Sequence, residues 1–144
     1  MNMEEIKSPI LLFNSYGIKS IDMDIIPPQL SAQAQNTEVE LDAKFSKEII
    51  KLNDKNFAVD LSVEILGNDS NSKKVIDLKI CMEGYFELVG DLTEKEFENN
   101  LNINAVSILF PYLRTAVSTI SILSNFSRID IPPMNIIQWF ELEK

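Results

Sequence analysis

From Val39 onward the chain reads in twos. Val39, Leu41, Ala43 and Phe45 hold one parity, while Glu38, Glu40, Asp42 and Lys44 hold the other. A helix cannot sort residues this way; a strand with one dry and one wet face does. The pattern returns in Phe57, Val59, Leu61, Val63 and Ile65, set against Asp60, Ser62 and Glu64. It returns again in Ile76, Leu78, Ile80, Met82, Phe86 and Leu88, set against Asp77, Lys79 and Glu83. The links "LNDKN" and "GNDSNSKK" are short and rich in turn-tolerant residues, so the strands run antiparallel. Upstream, Leu11 and Phe13 share a parity, Tyr16 and Ile18 switch it, and Ile21, Met23 and Ile25 switch it back. Two slips in one strand predict bulges, with Gly17 a site for one, and Pro27-Pro28 ends the strand.

After Gly90 the period lengthens. "DLTEKEFENNL" predicts a short helix with Asp91 or Thr93 as its cap, and a longer helix begins near Asn104. Pro111 either kinks that helix or marks its start. "PPMNIIQWFELEK" predicts a second, short amphipathic helix. Strands first and helices after place the chain in the α+β class. We expect one domain, residues 1–144, with a four-stranded antiparallel sheet and two main helices packed on one face.

The 144 residues carry 13 basic against 22 acidic side chains, a formal charge of -9, with no cluster of Lys or Arg. A nucleic-acid backbone would be repelled. There is no histidine, which removes Ser-His and Cys-His nucleophile pairs, the usual neutral-pH base and His-ligated metals. Cys81 is the only cysteine, so no intramolecular disulfide forms and a reducing, cytoplasmic compartment is expected. Glu4 and Glu5 stand where a signal peptide needs positive charge, and no stretch approaches the ~20 apolar residues of a membrane span. No phosphate-binding loop or metal-spaced cysteine set is present, so no cofactor is expected. Asp22 and Asp24 share a strand face, as do Glu38, Glu40 and Asp42. Solvation accounts for such alternating acids more simply than catalysis or metal binding. The chain reads as a protein other than an enzyme.

"SILFPYLRTAVSTISILSNF", residues 107–126, is too apolar for an ordinary surface helix. Ser107, Pro111, Arg114, Ser118, Ser121 and Asn125 form one narrow strip along it. Val106, Phe110, Leu113, Val117 and Ile120 line one flank, and Ala105, Ile108, Tyr112, Ala116 and Leu123 the other. One flank covers the sheet and the other needs a further partner. Val106, Phe110, Leu113, Val117 and Ile120 are assigned to an oligomer interface, where the small residues of the strip admit a second helix. Near the C-terminus, Ile136, Ile137, Trp139 and Phe140 crowd a short element, with Phe126 and Met134 close in sequence. Docking onto the sheet would explain some of them; the six together also suit the wall of a groove for extended apolar segments.

Ile108, Leu109, Phe110, Pro111, Tyr112 and Arg114, followed by Ile131, Pro133 and Asn135, resemble the signature end of SecB-type chaperones. "GYFELVG" resembles the ending of that family's last strand, and "EVELDAKF" and "SIDMDIIPP" sit where its early strands stand. The resemblance implies a dimer of dimers, assembled through the long helix into a tetramer. It implies an ATP-independent holdase that keeps unfolded preproteins in apolar grooves and passes them to the SecA motor. In the family an acidic outer sheet face docks SecA's basic tail. Asp24 keeps one of those acidic positions and is the candidate SecA contact; Ser20 and Lys79 stand where the family has carboxylates. Three other readings remain open. They are a relative dedicated to one client such as an antitoxin, a module holding one small hydrophobic ligand, and an acidic escort of a single folded protein.

Overall fold

The alternating segments become strands β1 (Ile10–Ile25), β2 (Glu40–Lys51), β3 (Asn56–Asn68) and β4 (Lys74–Val89). The computed structural model describes residues 10–26, 39–124, 129–132 and 135–142. Every neighbouring pair is antiparallel, in the order β1-β4-β3-β2. The two strands with the strictest alternation are central, and Phe57, Val59, Leu61, Ile65, Ile76, Leu78, Ile80, Met82 and Phe86 are fully buried along one face. Both predicted turns close on a side-chain carbonyl or carboxylate. Asn53 Oδ1 accepts from the backbone N–H groups of Lys55 and Asn56, and Asp69 Oδ1 from those of Asn71 and Lys73. Asn and Asp favour turns for this reason.

The parity slips of β1 are two bulges. Register shifts fall between Phe13 and Ser15 and between Ile18 and Ser20, so Asn14 and Lys19 are the extra residues and Gly17 is not a bulge site. Their effect is to keep one face apolar. Phe13 lies opposite Phe86, Ile18 opposite Met82 and Met23 opposite Leu78. All three apolar sets of β1 therefore look the same way despite their different parities.

Helix α1 (Glu94–Asn99) starts on a reciprocal cap. Thr93 Oγ1 accepts from the Glu96 N–H at 3.2 Å, and the Glu96 carboxylate accepts from the Thr93 N–H at 3.2 Å. The chain continues through a wider π-helical stretch, Asn100–Ala105, into α2 (Val106–Leu123). Asn104 does not cap a helix; its side chain bonds to Asn100 at 3.1 Å. Pro111 neither starts nor ends a helix, and it sits on the exposed side, where the carbonyl it leaves unbonded meets water. A last helix, α3 (Ile136–Leu142), follows Asn135, whose Oδ1 accepts from the Gln138 N–H at 3.0 Å.

By length and composition the helical run Glu94–Leu123 meets the requirement of a membrane span, contrary to the expectation from sequence. Packing accounts for its apolar side: Leu101, Ala105, Val106, Leu109, Leu113 and Val117 are closed against the sheet.

Gly84 sets the distance of that contact. A Cβ there would stand 2.6 Å from Leu109 Cδ2 and 2.8 Å from Phe86 Cε2, in a core with no room to yield. Gly84→Ala is expected to lower stability by about 1–3 kcal/mol in urea denaturation. Gly17→Ala, with nothing within 4 Å of its Cβ position, is the control and should leave the midpoint unchanged or slightly raised.

Candidate functional site

The polar strip of α2 holds a piece of the chain itself. Arg114 Nε donates to the Ile131 carbonyl at 2.7 Å. Ser118 Oγ lies 3.1 Å from the Ile129 carbonyl and 3.2 Å from Asp130 Oδ1. The Ile129 N–H donates to Ser121 Oγ at 3.0 Å, and that hydroxyl donates to the Ser118 carbonyl at 2.8 Å. Residues 129–131 have no regular structure, so their backbone groups need such partners when buried. The strip provides them, where the sequence reading had placed the close approach of a second helix.

The clamped segment stands off from β2 and leaves an apolar groove of about 470 Å³. Leu41, Ala43 and Phe45 of β2 and Ile65 of β3 form one side; Ile129, Asp130, Ile131, Pro132 and Asn135 form the other. Aromatic packing backs it. The Phe45 ring lies 5.6 Å from Phe110 and 6.4 Å from Trp139 of α3. Lys47 Nζ sits 4.5 Å from the centre of the Trp139 ring, a cation–π contact.

Residues 7–144 match the sequence profile of SecB, described as preprotein translocase subunit SecB. The chain belongs to the SecB family. Its relatives include the protein-export protein SecB of Dichelobacter nodosus, 28% identical over 92% of this chain and 86% of that protein. Another is an uncharacterized protein of Methanocaldococcus jannaschii, 26% identical over 88% of this chain and 79% of that one. Among solved structures, the SecB-like chaperone of Mycobacterium tuberculosis, in complex with a ChAD peptide from the HigA1 antitoxin, has the same fold. It superposes with a TM-score of 0.70 at 14% identity, covering 87% of this chain and 91% of that one. Four antiparallel strands with helices on one face are the SecB-like architecture, and the family is one of chaperones without enzymatic activity.

In this SecB-family fold the flank assigned to an oligomer interface is the one that packs on the sheet. Val106, Phe110, Leu113 and Val117 are closed inside the single chain, and Ile120 is half-buried against the same core. They cover the sheet, and only Ile120 keeps part of its surface free. On the other flank Tyr112 and Leu123 are exposed, Ile108 and Ala116 are half-buried, and Ala105 is closed in the core. Tyr112 stacks on Tyr16 of β1, ring centres 4.2 Å apart, so the free surface continues onto that strand. Periodicity cannot distinguish the flanks, because both are apolar.

Of the predicted groove wall, Trp139 packs against Phe45, which lines the groove, and against Lys47. Ile136 is buried in the core instead, and Ile137 points outward, 56% exposed. Phe126 and Met134 lie outside the described residues, as does the side chain of Phe140. Leu41, Ala43, Phe45 and Ile129 were missed as groove residues. Their signal was visible for β2, whose dry parity continues to the sheet's edge with no further strand to cover it.

The outer sheet face carries charges in rows. Asp24 is exposed there, opposite Asp77, and Lys74 pairs with Asp77 at 3.0 Å. Ser20, Cys81, Ser62 and Ser46 lie in register across all four strands and floor a shallow cavity of about 360 Å³. Beyond them Asp60 and Glu83 face each other on β3 and β4, and Lys19 reaches both from its bulge, at 2.9 and 3.3 Å. Asp60 is only 6% exposed. Burial, then the neighbouring Glu83, pushes its carboxyl above the ordinary range. Glu83, hydrogen-bonded to Asp60 and to Tyr85, is held down at about 2.

Two outcomes follow from this geometry. Ser121→Ala leaves the buried Ile129 N–H without an acceptor; it should cost about 1–3 kcal/mol and speed hydrogen exchange at that amide. Unchanged exchange would mean the clamp is held elsewhere. The carboxyl pair acts in opposite senses with pH. Glu83, lowered from 4.5, contributes stability that is lost as pH falls towards about 2. Asp60, raised from 3.8, contributes stability that is full below that value and lost as pH rises through its raised pKa. Asp60→Asn cannot ionise, so its urea midpoints should lose the decline with rising pH and keep the acid limb.

Proposed function

We propose that this chain is an ATP-independent holdase of the cytoplasm that takes unfolded polypeptide segments into the groove between β2 and residues 129–132. The groove itself carries the reading: about 470 Å³ of apolar lining beside an edge strand. Its wall has a fixed backbone and presents Ile129 and Ile131 alongside Leu41 and Phe45. Apolar walls of this kind recognise hydrophobic character without demanding one sequence.

The role includes keeping preproteins fit for export, with Asp24 as the SecA contact on the outer face. A chaperone dedicated to one client is the second reading, and the Mycobacterium tuberculosis structure, where a SecB-like chaperone is in complex with an antitoxin peptide, supports it. Assembly into a dimer of dimers is part of the proposal. It rests on the free flank of α2 and its continuation on β1, with Tyr16 46%, Ile18 48%, Tyr112 38% and Leu123 75% exposed. Exposed apolar surface this continuous is characteristic of interfaces.

Light scattering tests each layer. The purified chain should suppress aggregation of a chemically unfolded polypeptide and form a soluble complex with it. Trp139→Ala should weaken that holding with assembly mass unchanged; full suppression by the variant would remove Trp139 from the site. Tyr112→Asp should lower the assembly mass without unfolding the sheet, and an unchanged mass would overturn the interface. Asp24→Lys should weaken capture of SecA in a pull-down, and an equal yield would argue for a dedicated client.

A further inference from the structure

The wet face of a sheet seldom closes a charge, yet Asp60 is closed there, the one buried charged side chain among the described residues. Every group facing it is on a strand, because the helices pack on the other face. On β4 Glu83 stands opposite, hydrogen-bonded to Asp60 and accepting from the Tyr85 hydroxyl, with Cys81 diagonally beyond. On β2 the exposed Glu48 stands opposite. On β1 Lys19, the extra residue of the second bulge, sends its ammonium across β4 to Asp60 Oδ2 at 2.9 Å and Glu83 Oε2 at 3.3 Å. β1 and β3 are not neighbours in the sheet, so Lys19 ties the edge strand directly to a strand two places in. Asp60 Oδ1 is buried, and no donor reaches it among the described residues.

Two carboxyl groups share a hydrogen bond only if one of them holds a proton. A proton on Asp60 gives Oδ1 that bond, donated to Glu83, and leaves one negative charge for one lysine. Burial favours this state, and Lys19 acts against it. Lys19 is half-exposed, so what it adds to the pair is charge more than burial. Linkage is reciprocal: a lysine that makes ionised Asp60 easier to keep is itself held more firmly once Asp60 ionises. The fold as a whole loses stability as Asp60 ionises, while the hold on β1 rises. β1 is where such a hold acts, since it is bonded to the sheet along one side only. The exposed Tyr16 and Ile18 lie between its two bulges.

We propose that Lys19, Asp60 and Glu83 form a proton-gated tether, which fastens the bulge of the edge strand β1 to the centre of the sheet when both carboxyls are ionised and slackens when the pair takes up a proton. In the slack state the proton replaces the lysine as the group that keeps the two carboxyls together. Slackening acts on the stretch 15–20 with its apolar side chains. The tether is independent of the groove, which lies at the opposite edge of the sheet.

Hydrogen exchange read residue by residue by NMR tests this on the whole chain, corrected for the intrinsic pH dependence, with the Asp60 carboxyl carbon followed through the same pH range. As Asp60 ionises, protection of the amides of residues 17–20 that pair with β4 should rise about two- to fivefold relative to those of residues 61–64 in β3. Asp60→Asn, which keeps a donor towards Glu83 and cannot ionise, should show no rise. Lys19→Met should show none either, and its Asp60 should titrate at higher pH. A rise of the same size in Asp60→Asn, or none in the unaltered chain, overturns the tether. So does an Asp60 titration that Lys19→Met leaves in place. Asp60→Asn fills the same space as the native residue, so the exchange comparison decides even where Lys19→Met does not fold.

Discussion

The contact of α2 with β3 and β4 is what the rest of this protein depends on. Leu109 enters the space left by Gly84, and Val106, Leu113 and Val117 follow it onto the central strands. Each large side chain closed in this way contributes about 1.5–3 kcal/mol relative to exposure. With that flank committed, the angular position of every other residue on α2 is settled. The polar strip is turned towards residues 129–131, and the flank with Tyr112 is turned towards β1 and open surface.

The strip solves a problem that a groove creates. A segment without regular structure has no internal partners for its backbone, and burying it unpaired would cost about 1–3 kcal/mol per group. Arg114, Ser118 and Ser121 take up the carbonyls of Ile129 and Ile131 and the N–H of Ile129. The segment can then stand as a rigid wall while its apolar character serves the groove. A helix face of small hydroxyls and one guanidinium is chemically suited to this: short side chains allow the backbone close, and Arg114 reaches the far end.

On the other side of the sheet the same strands solve a different problem. Asp60 and Glu83 oppose each other directly, an arrangement that repels when both are ionised. The bulge in β1 supplies Lys19 to both, and burial beside Glu83 raises the pKa of Asp60. The Lys19 bulge thus does two things: it brings Ile21, Met23 and Ile25 back to the apolar face of β1, and it places a cation where the outer face needs one.

Much of this was legible in the residues. The period of two in Phe57–Ile65 and Ile76–Leu88, the turn residues Asn53 and Asp69, and the Thr93–Glu96 cap act over a few neighbours, so local chemistry determined them. The two parity slips of β1 showed that bulges were needed, although Asn14 and Lys19 became the extra residues only through pairing with β4. The helix 107–126 announced two apolar flanks and a polar strip, and here sequence stopped. Which flank met the sheet was decided by Gly84, more than twenty residues upstream of Leu109, and by nothing on the helix itself. The groove depended on the same long-range step. Ile131 and Leu41 are far apart in the chain and come to face each other only because the strip holds one and the edge of the sheet presents the other. Sequence by itself determined the strands, the turns, the helix start and the presence of surplus apolar surface. Tertiary structure alone decided which surface became core, which became groove and which stayed free, because burial is a property of what each face meets.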